Sequence, residues 1–178
     1  MLKNLPLERV YQFIEPGPVT LLTTQEVGKK PNVMAMSWHM MLEFEPPLIA
    51  CVIGAGNHSF EALRKTRQCV IAVPPVGLAE MVTRIGNCTG RDTDKFGTYD
   101  LTLLPAAHVS APLVGECIVN LECEVSDTHM VERYNMFVLE CVKAWINPEL
   151  QHARTIHHHG FGRFAVDGEM IELKSKMR

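Results

Sequence analysis

The chain has 178 residues, 47% of them hydrophobic and 21% charged, with a mean hydropathy of +0.03. That length suits one domain, here residues 1–178, which can bury about 70% of its unfolded surface without staples, and the apolar content excludes a disordered chain. A formal charge of −3 supplies no global field for nucleic acid or an anionic membrane, so any anionic ligand needs a local cluster of donors.

The six cysteines, Cys51, Cys69, Cys88, Cys117, Cys123 and Cys141, contain no CxxC pair. This spacing excludes a zinc knuckle and a thioredoxin-type motif. Several sit in apolar runs, where a thiol behaves as a small core residue. The first fifteen positions carry Lys3, Glu8 and Arg9 in place of an apolar signal core. No apolar run reaches the roughly 18 residues of a membrane span. Cytoplasm is the expected compartment.

Leu7, Val10, Tyr11 and Ile14 predict a helix over 7–14, closed by Pro16, Gly17 and Pro18. A β-branched strand follows over 19–24, then a hairpin loop around Gly28. Residues 32–42 predict one long strand rich in methionine, with Met34, Met36 and Trp38 on a shared face. Pro46 and Pro47 precede a third strand over 48–53, apolar on both faces and therefore covered on both. Ser59 is placed to N-cap a short helix carrying Phe60 and Leu63. A strand over 68–73 leads to an amphipathic helix with Leu78, Met81, Val82 and Ile85, stopped by Gly86.

Residues 87–112 are irregular, and a loop that long is usually functional or part of an interface. Val119, Leu121, Cys123 and Val125 alternate with Asn120, Glu122 and Glu124, predicting a half-buried antiparallel strand. Its partner spans 136–146, and one short strand follows Gly160. The pattern predicts a mainly β chain, a small closed barrel with flanking helices.

Three segments can carry chemistry. The junction from Gly54 to Ser59 opens a helix, whose free N–H groups can cradle a phosphate; an ordinary capped helix uses the same residues. The loop from Thr89 to Phe96 offers Arg91 and Lys95 to an anion, or else a solvated loop in which they pair with Asp92 and Asp94. The stripe of Met34, Met36 and Trp38 suits either a core or the wall of a flat aromatic ligand, with Asn32 and Ser37 offering hydrogen bonds. His157, His158 and His159 cannot converge on one ion from an extended strand, so no metal site is expected.

Taken together, Pro16-Gly17-Pro18-Val19, Asn32 with Ser37-Trp38, Pro46-Pro47-Leu48, Ser59 at a helix start and Gly90-Arg91-Asp92-x-Asp94-Lys95-Phe96 resemble the flavin reductase-like family. The likeness is greatest to the flavoredoxin branch and runs from about Pro16 to Phe164. It implies an antiparallel Greek-key split barrel binding FMN at a homodimer interface. By the same resemblance Asn32 and Trp38 would contact the cofactor, Ser59 would bind its phosphate and Lys95 would supply charge to the phosphate or the ring; Met36, Ser37 and Arg91 join the expected cofactor contacts from the residue reading above. His129 resembles a family histidine near the flavin or the nicotinamide, and Phe164, or alternatively Phe161, an aromatic that closes over the cofactor. Phe161 has a neighbour among the three histidines, one of which would line the pocket or the dimer seam.

Two roles then compete. One is an FMN-dependent oxidoreductase taking hydride from NAD(P)H, which would bind transiently because no Gly-x-Gly-x-x-Gly motif is present. The other is an electron carrier served by a redox protein, with no nicotinamide site. A non-catalytic flavin-binding module is the third.

Overall fold

A computed structural model describes residues 2–10 and 17–174. Its strands are β1 (Lys3–Leu5), β2 (Thr20–Thr24), β3 (Asn32–Met36), β4 (His39–Glu43), β5 (Leu48–Val52) and β6 (Gln68–Val73). After these come β7 (Leu103–Leu104), β8 (Leu113–Val114), β9 (Val119–Asp127), β10 (Met136–Ile146), β11 (Ile156–His158) and β12 (Phe164–Val166). Among the described residues four α-helices interleave with them: α1 (His58–Thr66), α2 (Ala79–Gly86), α3 (Lys95–Thr98) and α4 (Val131–Tyr134).

Eight strands make one antiparallel sheet in the order β3-β2-β6-β9-β10-β5-β4, with β1 added against β10. The edge strands β3 and β4 are joined by Ser37 and Trp38 alone. Three Cα steps reach about 11 Å at most, whereas a flat sheet of this order would hold its edges about 29 Å apart. The sheet must therefore curl until its edges nearly meet. They do not pair, so the barrel is split rather than closed as the patterning predicts. Across the seam, His39 Nε2 lies 2.7 Å from the Pro18 carbonyl oxygen.

The predicted strand over 32–42 is thus two strands on opposite sides of the seam. Its apolar alternation runs on through the corner, which hides the break from pattern reading. Of the predicted 7–14 helix, a 3-10 turn at Leu7–Arg9 is seen, and residues 11–16 lie outside the described residues.

The curl creates two apolar layers. Leu22, Met36, Ile49, Cys51, Ile71, Leu121, Cys123, Phe137 and Leu139 fill the barrel, and Phe60 and Leu63 of α1 join them. Phe60 meets Phe137 edge-on, with ring centroids 5.4 Å apart. On the outside, Val82 and Ile85 of α2 and Phe96 of α3 cover Leu21, Val33 and Ala72. All six cysteines are free thiols. Burial pushes the Cys51 thiol up to about 12, as expected for core residues.

Strand β9 departs from the expected half-burial. Asn120 and Glu122 are fully buried because the 102–118 segment folds over them. Asn120 Oδ1 accepts from Val114 N at 2.7 Å and its Nδ2 donates to Val114 O at 3.0 Å, replacing a strand partner. Glu122 accepts from the backbone N–H groups of Ala107, His108 and Val109, at 2.9, 2.6 and 3.2 Å, and from the Trp145 indole at 2.7 Å. Burial raises its pKa, but these four donors outweigh burial and leave the carboxyl below its usual range. Among the described residues no helix is long and apolar enough to cross a membrane.

Candidate functional site

Strand β3 has a free edge, and α1, α2 and the loop after α2 border it. Two adjoining cavities form there. The first, of about 390 Å3, is polar and is lined by Asn32, His58, Ser59, Gly90, Arg91 and Lys95 among others. The second, of about 260 Å3, is walled by Val19, Ala35, Met36, Val82 and Phe164, with Ser37, Thr83 and His158 as polar members. Gly86 and Asn87 line both.

Lys95 dominates the polar cavity. It opens α3, whose cap is Asp94, the Oδ1 of which accepts from Gly97 N at 3.2 Å. The neighbouring Phe96 enters the outer core, which pulls Lys95 inward until it is only 3% exposed. Its Nζ donates to the Ile85 carbonyl at 2.9 Å, and among the described residues no carboxylate pairs with it. The solvated-loop alternative fails here, since Asp94 takes Lys30 Nζ at 2.7 Å instead. Burying an ammonium costs several kcal/mol, while a hydrogen bond involving a charged group returns about 1.5–3 kcal/mol. The balance is unfavourable, and burial accordingly holds the Lys95 pKa below the lysine range. An anion in this cavity would redress it.

Asn32 presents a second unmet need. Its Nδ2 donates to Ser59 Oγ at 2.9 Å, yet its buried Oδ1 has no partner among the described residues. Gly90 packs so closely that a Cβ there would overlap the Asn32 carboxamide, so the loop backbone is held against β3. Ser59 is not the N-cap expected of it. Asn57 takes that position and Ser59 sits inside the first turn, fully buried. The helix starts two residues early because Asn57 closes the glycine turn, its Nδ2 donating to Gly54 O at 3.1 Å. Phe60 N already donates to Asn57 O at 3.1 Å, so the His58 and Ser59 N–H groups are the first-turn donors that carry partial positive charge toward the cavity.

Arg91 is exposed at the rim, and the nearby His58 is kept below the usual imidazole range, first by partial burial and then by the Arg91 charge. In the apolar cavity Met36 is 4% exposed, and the Phe164 ring lies 5.3 Å from the His158 ring.

Two expected residues lie elsewhere. Trp38 is 71% exposed, because the strand ends before it and the chain is crossing the seam. It does not wall the cavity beside Met36. His129 lines neither cavity; it is solvent-facing, with Nδ1 3.0 Å from Asp127 Oδ1. Phe161 stands fully exposed on the β11–β12 turn. Sequence reading placed His58 within the candidate Gly54–Ser59 junction but missed Val82, Thr83 and Asn87 as cavity residues. The polar face of the amphipathic helix was the available signal for Thr83, and its end for Asn87.

The flavin reductase like domain matches residues 14–164. The chain belongs to that family. YddH of Escherichia coli is 28% identical, the alignment covering 96% of this chain and 98% of YddH. Among solved structures, the FMN-binding domain of a flavin reductases-like enzyme from Shewanella baltica superposes with a TM-score of 0.90 at 24% identity, over 98% of both chains. Flavoredoxin of Desulfovibrio vulgaris gives 0.80 at 22% identity, over 90% of this chain and 91% of its own. Both share the split-barrel fold with this member of the flavin reductase like family.

Proposed function

We propose that the paired cavities bind FMN and that the protein is an FMN-dependent oxidoreductase, drawing on NAD(P)H and working as a homodimer. The observation that carries this reading is Lys95: a buried cation that finds no counter-ion among the described residues, beside an Asn32 oxygen with no partner among them and next to an apolar slot. A phosphorylated flavin answers each requirement, its phosphate matching the cation and its tricycle the slot.

The bound flavin would supply the redox chemistry itself. Lys95, Ser59 and the first turn of α1 would hold the phosphate, with Arg91 adding charge at the rim. Asn32 would orient the ligand through its free oxygen. Val19, Ala35, Met36, Val82 and Phe164 would exclude water from the ring, and Ser37 and His158 would offer hydrogen bonds at its edge. His129 receives no step within its own chain.

Support for the homodimer comes from β4, an edge strand. Met40 and Leu42 on β4, with Trp38 and Phe44 just beyond its two ends, are 57%, 43%, 71% and 48% exposed. A monomer would leave that apolar row and a free strand edge in water. The 87–112 loop, in contrast, buries Phe96, Leu101 and Val109 within its own chain.

Purified protein should be yellow and should release FMN on denaturation. Failure of the folded protein to take up micromolar FMN would overturn the reading. Anaerobic NADH or NADPH should bleach the flavin; persistent colour with either would favour a carrier that receives electrons from a redox protein.

A further inference from the structure

We propose that Gly86 and Asn87 form the seat of the cofactor's polyol chain, with the Asn87 carboxamide reading its hydroxyls. The inference rests on the FMN reading above and adds a determinant that selects how phosphate and ring are joined.

Gly86 and Asn87 are the residues common to both cavities. A ligand with its anion by Lys95 and its plate by Met36 must cross them with whatever links its two ends. In FMN that link is a hydroxylated chain. A phosphate mounted directly on an aromatic ring would fill one cavity and leave the other.

The choice of glycine at 86 has no internal cause. Its φ lies outside the left-handed region, and an added Cβ would meet just one atom, the Ala35 Cβ at an ordinary 3.7 Å. In the last turn of α2, alanine would favour the helix more. What glycine does provide is a bare backbone along the path between the cavities.

Asn87 complements it. Its backbone N–H bonds to Thr83 O at 3.1 Å and Arg84 O at 3.2 Å, which fixes the residue at the helix end. Among the described residues its side chain makes no hydrogen bond, so a donor and an acceptor are both free to meet hydroxyl groups. Thr83, one turn earlier, has its hydroxyl turned back to Ala79 O at 2.9 Å. Asn87 is therefore the uncommitted polar side chain at the crossing.

Apoprotein titrated with FMN, with lumiflavin (the ring without the polyol) and with inorganic phosphate as competitor tests this. Asn87→Ala should raise the FMN Kd about three- to tenfold, the scale of one or two neutral hydrogen bonds, and leave lumiflavin binding and phosphate competition unchanged. Gly86→Ala should also weaken FMN while leaving Tm equal or higher. An FMN affinity unaltered in Asn87→Ala, or a parallel loss of lumiflavin affinity, would overturn the assignment. Folded wild-type protein that binds no FMN would instead sink the cofactor reading, and this one with it.

Discussion

Two buried charges sit on the outer side of the same sheet, and they are treated in opposite ways. Glu122 on β9 is an anion with four donors, all from its own chain. Lys95 beside β3 is a cation with one carbonyl. A buried charge whose partners are all internal holds structure together, here the segment folded across β9. One that is left short of partners marks a place completed from outside. The contrast separates clasp from proposed binding site without reference to any relative.

Substitution should pull the two regions apart. The largest effect is expected from Glu122→Ala, which strands three backbone N–H groups and the Trp145 indole. It should cost about 3–5 kcal/mol of stability, the scale for breaking a buried charged network, measured by urea unfolding. Next, Lys95→Met should weaken FMN binding by about 1.5–3 kcal/mol, yet leave the apoprotein equally stable or up to about 4 kcal/mol more so. An apoprotein as damaged by Lys95→Met as by Glu122→Ala would erase the distinction.

Acid should expose the clasp as well. The folded pKa of Glu122 is held down, so its contribution is complete above the ordinary carboxylate value near 4.5. It is lost as pH falls through the lower folded value. Wild type should therefore lose stability more steeply than Glu122→Gln below about pH 4.5. Exposed Asp94 and Asp127, also held low by their hydrogen bonds, are common to both proteins and cancel. Equal slopes would show that Glu122 is already protonated. The smallest effect belongs to Arg91→Ala at the rim, about 0.2–1 kcal/mol of FMN affinity, fading as salt rises.

Several of these residues were legible from order and spacing. Asn32, Met36, Ser37, Ser59, Arg91, Lys95 and Phe164 all line the paired cavities. The strands over 48–52, 68–73 and 136–146 follow their apolar patterns closely. Trp38 was misread because alternation is a local signal, whereas the seam depends on how far a sheet of eight strands curls. Glu122 was misread for a related reason. On a period of two it belongs to the solvent face, and nothing local says that a segment fifteen residues earlier will cover that face.

The composition, the apolar periods and the motif order by themselves determined a mainly β chain with a basic, glycine-bearing loop suited to an anion, since those properties belong to short stretches of chain. Tertiary structure decided which charge would be satisfied. Partners for Glu122 arrive from residues 107–109 and 145, while Lys95 is drawn under the surface by the packing of Phe96. Desolvation and hydrogen-bond supply are set by neighbours remote in sequence, and their mismatch at Lys95 is what supports the proposal of a site in this loop.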